Sequence, residues 1–293
     1  LVYAVLGNRL PATKGAGSLL VTEVRDPRLP MRDNQLHAFD LRTGALVWSI
    51  MGEAQLDGDD LLARKPQERS AIFFYGAPLP VAGRLFCIGE ERGQVQLFEL
   101  NPRTVLEGEI LWSVPLHNPL QGQDIQLESS RRLAGLMPTY AGGLLICPTG
   151  CGTVVAIDIE QRRIVWQQRY LDTGPTAATL NRIARFNQRQ VRGTDFRDIA
   201  AELLNEDRWQ DARLLVAGER VLYTTPDSGE LICIGLHDGR PQWQQPLSRK
   251  SSLSLAGVFE DAAILVDVGE IQLISLADGS PVWAAPPTIP APS

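Results

Sequence analysis

A chain of 293 residues with 34 acidic and 28 basic side chains carries a net charge of −6, the wrong sign for general nucleic-acid binding, and is long enough to bury a large core. Hydrophobic residues make up 44% of it, yet they never gather into a run of about 18, so no helical membrane span is predicted. With 26 Gly and 20 Pro the composition suits a single turn-rich all-β domain.

The chain opens on LVYAVLG, which reads as a strand, and has no initiating Met. We therefore expect a segment cut from a longer protein, with any targeting signal outside it. Gly7–Asn34 reads as a loop rich in Pro, Gly and charge, with one candidate strand at Leu19–Val24. Gln35–Ile50 (QLHAFDLRTGALVWSI) reads as strand, turn and strand: Leu36 and Ala38 alternate on one face, Phe39 and Leu41 on the other, and Thr43-Gly44 suits a tight hairpin. Met51–Ser70 is a polar excursion, partly helical at Asp60–Arg64. His117–Leu133 is a second polar loop and Leu171–Asp211 the largest insertion. The tail PPTIPAPS cannot be helical.

The hairpin returns four times, at Gln94–Trp112, Thr153–Trp166, Glu230–Trp243 and Glu270–Trp283. Asp158, Gly235 and Ser275 take the place of Asp40, each eight residues before its Trp; Glu99 takes it in the second copy, whose turn is five residues longer. Gly108, Arg162, Gly239 and Gly279 stand at the place of Gly44. Each hairpin after the first follows further apolar strands: Arg84–Ile88, Leu144–Cys147, Val221–Thr225 and Ala263–Val268, and before those Ile72–Pro80, Leu136–Tyr140, Leu214–Ala217 and Leu255–Phe259. Four strands per repeat predict β-propeller blades at about 1–50, 71–116, 134–170, 212–247 and 248–285, the first without its innermost strand. One blade cannot bury both its faces, so blades must stack, and Trp48, Trp112, Trp166, Trp243 and Trp283 read as structural wedges between them. The hairpin glycines are expected at positive φ, and Arg162 is expected to mark a different turn.

The run A-x-D-x-x-T-G-x-x-x-W, formed by Ala38, Asp40, Thr43, Gly44 and Trp48, resembles the repeat of the pyrroloquinoline-quinone-like propellers. That superfamily contains quinoprotein alcohol dehydrogenases and a non-enzymatic scaffold lipoprotein of outer-membrane protein assembly. The resemblance implies a propeller over nearly the whole chain and, because that family closes with seven or eight blades, five blades read as an arc of a larger ring in preference to a five-bladed ring closed by an unusual route. It also implies an extracytoplasmic setting, in the periplasm or cell envelope. Departures at Leu97, Glu99, Arg162, Cys233, Gly235, Leu273 and Ser275 read as packing drift.

Chemistry-bearing patterns are sparse. His37, His117 and His237 fall in separate regions without a paired spacing that would hold zinc, and neither a nucleophile elbow nor a phosphate loop occurs. Asp57-Gly58-Asp59-Asp60 lacks the spacing of a calcium loop. Cys87, Cys147 and Cys233 lie in apolar strands, and Cys147 with Cys151 admits a short disulfide. Neither catalytic, cofactor-binding nor metal-binding residues are assigned. A binding or scaffold propeller is the favoured reading. The alternative is a quinone-dependent dehydrogenase-like domain, with pyrroloquinoline quinone and calcium and an incomplete active site. In 171–211, Thr179–Val191 and a second helix through Phe196, Ile199, Ala200, Leu203 and Leu204 read as a helical hairpin broken at Gly193. Arg182, Arg185, Arg189 and Arg192 fall on roughly one face of its first helix, suited to an acidic protein partner or another segment of a longer parent chain.

Overall fold

The computed structural model describes residues 1–7, 34–51, 72–102, 110–119, 135–170, 213–224, 230–246, 254–267 and 270–283. The predicted helical hairpin at 171–211, the strand at Leu19–Val24, the helix at Asp60–Arg64 and the acidic run at Asp57–Asp60 lie outside them.

Every described element is a β-strand, and the strands form five antiparallel sheets in chain order. Blade 1 is β1 (Val2–Gly7), β2 (Asn34–Phe39) and β3 (Leu46–Met51). Blade 2 is β4 (Ile72–Phe74), β5 (Leu79–Val81), β6 (Arg84–Glu91), β7 (Gln94–Leu100) and β8 (Ile110–His117). Its irregular inner strand is split, β4 and β5 both pairing with β6. Blade 3 is β9 (Thr139–Ala141), β10 (Leu144–Pro148), β11 (Thr153–Asp158) and β12 (Arg163–Arg169). Blade 4 is β13 (Leu214–Ala217), β14 (Arg220–Tyr223), β15 (Glu230–Gly235) and β16 (Pro241–Pro246). Blade 5 is β17 (Ser254–Phe259), β18 (Ala262–Asp267) and β19 (Glu270–Ser275), and a single bridge from Ile274 to Pro281 begins a fourth strand. Among the described residues blade 1 has three strands, β1 standing at its inner edge.

The core is a series of layers between blades. The middle strands of blade 3 show the principle: Leu145, Cys147, Val155 and Ile157 pack against Phe86, Ile88 and Leu97 of blade 2, while Leu144, Ile146, Val154 and Ala156 pack against Val221, Tyr223 and Ile232 of blade 4. A strand buried on both faces must be apolar at every position, which is why β10 and β11 read as unbroken hydrophobic runs. Equivalent layers join blade 1 to blade 2 and blade 4 to blade 5.

The repeat hairpin has one construction in blades 1, 4 and 5. Gly44, Gly239 and Gly279 donate to the carbonyls of Asp40, Gly235 and Ser275 at 2.9, 3.0 and 2.9 Å, and adopt φ of 69°, 66° and 77°. Arg162 has φ 52°, so it keeps the left-handed conformation instead of changing the turn as expected from its side chain. Asp40 Oδ1 accepts from the Arg42 and Thr43 amides, and Asp158 Oδ1 from Glu160 and Gln161. In blades 4 and 5 the aspartate has moved inside the turn, to Asp238 and Asp278, and accepts from the amide two residues on. The hydrogen bonds from Thr43 to Asp40, and from Ser280 to Asp278, hold both carboxyls below their usual range. Register slips by one residue just before Trp48, Trp112, Trp166 and Trp243, leaving Val47, Leu111, Val165 and Gln242 as the extra residue. Such a bulge bends the outer strand and re-aims the tryptophan that follows.

Candidate interaction surface

Three tryptophans bridge to the following blade through their ring nitrogen. Trp166 Nε1 donates to the Leu236 carbonyl at 2.9 Å and Trp243 Nε1 to the Leu276 carbonyl at 2.8 Å. Trp48 Nε1 reaches the Pro102 carbonyl at 3.4 Å. The indoles of Trp166 and Trp243 lie so close over Gly239 and Gly279 that a Cβ there would sit 2.6 and 2.7 Å from Cε3. Each of these seams is a flat ring on a bare glycine turn. Trp112 is only partly buried and Trp283 is exposed, so the five repeat tryptophans are not equivalent.

The seam from blade 2 to blade 3 is built differently. At the glycine position stands Arg162, whose guanidinium lies 5.8 Å from the Trp112 ring centre. Its Nη2 is 3.1 Å from Oε2 of Glu99, a carboxylate with a side chain only 1% exposed. Arg84 approaches Oε1 of the same carboxylate at 3.6 Å and Glu160 of blade 3 at 3.3 Å. The two departures from the repeat, Glu99 for Asp and Arg162 for Gly, thus face one another across a single seam. The guanidinium stacks on the indole and pairs with the acid, both of which a planar cation favours. Arg162→Gly relieves about 1 kcal/mol of left-handed strain but strips the buried carboxylate of its nearer partner, which costs about 1–3 kcal/mol. We expect Arg162→Gly to be destabilised by about 1 kcal/mol and Arg162→Ala, which keeps the strain, by about 2. Urea melts that rank Arg162→Gly above the parent would contradict this.

All four seams set the blades side by side in one orientation, so the ends of the strands form two faces. One carries the hairpin turns at 40–45, 159–162, 236–240 and 276–280 and the tight turns at 82–83, 142–143, 218–219 and 260–261. The other carries the ends that bracket 8–33, 52–71, 120–134 and 171–212: Gly7 and Asn34, Met51 and Ile72, Asn118 and Leu136, Tyr170 and Arg213. These four connections therefore leave from, and return to, the second face.

Buried polar residues are concentrated beneath that face. Asn34 ties blade 1 to blade 2 by accepting from the Phe74 amide at 2.8 Å and donating to its carbonyl at 2.7 Å. Tyr75 donates to buried Glu90 at 2.5 Å. Thr149 donates to the Thr153 carbonyl at 2.8 Å, and Thr153 meets His117 Nδ1 at 3.3 Å across the seam. At the turn face His237 pairs with Glu219 at 2.9 Å. In blade 1, His37 stacks on Phe39 and bonds Gln35, and burial lowers its pKa.

Cys87, Cys147, Cys151 and Cys233 are all buried free thiols, so the disulfide that the sequence admits is not formed. Burial pushes Cys87 and Cys147 far up and Cys233 up to about 11, where Arg220 pulls the other way, so none of the three is a thiolate at neutral pH. Among the described residues no three of His, Cys, Asp and Glu lie together to hold a metal ion, and Trp48, Trp166 and Trp243 are committed to seams. Arg182, Arg185, Arg189 and Arg192 lie outside the described residues, in the segment between Tyr170 and Arg213. Sequence reasoning missed the Arg84–Glu99–Arg162 cluster. Its signal was present, two departures in adjacent copies with opposite charge.

No curated protein matches the chain in sequence. Among solved structures it is similar to BamB from Moraxella catarrhalis, with 12% identity, a TM-score of 0.45, and coverage of 89% of this chain and 72% of that one. It is also similar to Sqt1 from Saccharomyces cerevisiae, with 11% identity and a TM-score of 0.45, covering 87% of this chain and 56% of that one. The family model described as outer membrane protein assembly factor BamB matches residues 32–285, which include all the described blades except β1. The chain therefore belongs to the BamB family of outer membrane protein assembly factors.

Proposed function

We propose that this chain is a non-enzymatic scaffold of the cell envelope that binds protein partners through the face bearing its long connections. The observation that carries the reading is the asymmetry of the two faces: among the described residues one carries tight turns, while the strand ends that bracket the four longest connections lie on the other. On a repeat scaffold, insertions on one face are where binding surfaces are built, because the blades hold them without relying on them for packing. Membership of a family named for outer membrane protein assembly agrees with an extracytoplasmic setting and a protein partner. Among the described residues no helix is long and apolar enough to cross a membrane.

The arginine face read from the sequence extends the proposal. The segment holding Arg182, Arg185, Arg189 and Arg192 joins Tyr170 to Arg213, both at the connection-bearing face, and its guanidiniums would pair with carboxylates of an acidic partner. Replacing Arg182, Arg185 and Arg189 with Gln should abolish or weaken capture of that partner from envelope extracts of the native source while leaving the urea midpoint unchanged. An unchanged partner set on an intact fold would refute the role of these arginines.

A further inference from the structure

The rim of the molecule, where each blade ends in its outer strand, belongs to neither face. The free edge of an outer strand is a row of backbone donors and acceptors able to pair with another chain, and proline is one device that closes it. β8 carries Pro115, and β16 begins at Pro241 and ends at Pro246. β12, in blade 3, carries none and stands at the end of its sheet, in the order β12-β11-β10-β9. Its inward side is fixed by the Tyr170 amide, which donates to the Gly152 carbonyl at 2.9 Å. Inward and outward bonding alternate along an antiparallel strand, so Gln168 and Trp166 bond inward, opposite Val154 and Ala156, and Gln167 and Arg169 turn their N–H and C=O to the free edge. In keeping with this, the Arg169 carbonyl accepts from the Gln168 side chain at 2.7 Å.

Charge sets β12 apart from β3, which also lacks proline but carries no charged residue. Arg163 and Arg169 are exposed at its two ends, and it holds no acid, on a chain whose net charge is −6. Neither arginine enters an ion pair among the described residues. Asp158, opposite Arg163 in register, is held by the Glu160 and Gln161 amides of its own turn. Between the arginines Ile164 and Val165 are 39% and 40% exposed. We propose that β12 takes up an extended acidic segment of a protein partner as an added strand. Its backbone would pair with the outward groups of Gln167, its carboxylates with Arg163 and Arg169, and its aliphatic side chains would cover Ile164 and Val165. A second copy of β12 is the wrong occupant, because antiparallel pairing in register sets Arg163 against Arg169, and like charges placed opposite one another are destabilising. The site lies on the rim, so it stands or falls independently of the connection-bearing face.

The test is a fluorescence-anisotropy titration of the whole chain with a labelled, end-capped peptide of the same length as β12 that alternates valine with glutamate, and with its lysine counterpart. The glutamate peptide should bind and the lysine peptide should not. Gln167→Pro removes an outward N–H at a position where an edge strand tolerates proline, and should lose the glutamate peptide at an unchanged urea midpoint. The paired substitution Arg163→Glu and Arg169→Glu should weaken the glutamate peptide by about tenfold and admit the lysine peptide. This charge-reversed variant decides alone if Gln167→Pro does not fold. A parent that leaves the glutamate peptide unbound or binds both peptides equally, binding that survives Gln167→Pro, or a charge reversal that leaves the preference unreversed would each overturn the proposal.

Discussion

Trp166→Ala is expected to lose about 3–5 kcal/mol of unfolding free energy, the cost of removing a buried aromatic from a packed interior. The side chain is 9% exposed and lies in the layer between blades 3 and 4, against Val221, Tyr223 and Ile234. Truncation leaves a cavity over Gly239 and removes the donor from the Leu236 carbonyl. No collapse of the outer strand can refill the space without breaking the register fixed by the bulge at Ala156 and Ile157. Equilibrium denaturation in urea measures the loss, and a change below about 1 kcal/mol would mean that the ring does not wedge the blades apart.

Gly239→Val attacks the same seam from the other side, and its expected cost is about 2–5 kcal/mol. A β-branched residue held at φ 66° costs about 1–2 kcal/mol. The new Cβ would also sit 2.6 Å from Trp166 Cε3, which forces the seam open at a further cost of about 1–3 kcal/mol. The two substitutions share a contact and should not add: with the indole gone, the introduced valine side chain has nothing to collide with and only the backbone strain remains. A double mutant as unstable as the sum of the singles would contradict this geometry. Gly44→Val is the control, since its φ is 69° but nothing faces it, and it should show the strain alone.

The contrast between Gly239 and Gly44 shows how far the sequence could be read. The recurrence of Trp four residues after a turn glycine carries the blade repeat, the hairpins and the left-handed glycines, because all of these are local. It could not show that the ring of one blade rests on the turn of the next, since that pairing joins residues 73 apart, as Trp166 with Gly239. Arg162 illustrates the limit. Read alone it is a residue misplaced at a glycine position and suggests a different turn; only the neighbouring blade supplies the Glu99 carboxylate and the Trp112 ring that keep the left-handed turn occupied by a long side chain. The bulges before the tryptophans were illegible for the same reason, since a register slip is a property of two strands. The connection-bearing face follows from strand order and direction, which the repeat implied, whereas the grouping of Arg182, Arg185, Arg189 and Arg192 rests on sequence periodicity alone.

The central claim is that partners meet the face bearing the long connections and not the face of tight turns. Photo-crosslinking in envelope extracts measures this directly, with the probe placed singly at Arg92 or Asn118 on the connection-bearing face and at Arg42, Asp238 or Asp278 on the turn face, all exposed positions. The account predicts discrete protein adducts from Arg92 and Asn118 and none from the three turn positions. Adducts confined to Arg42, Asp238 and Asp278 would contradict it.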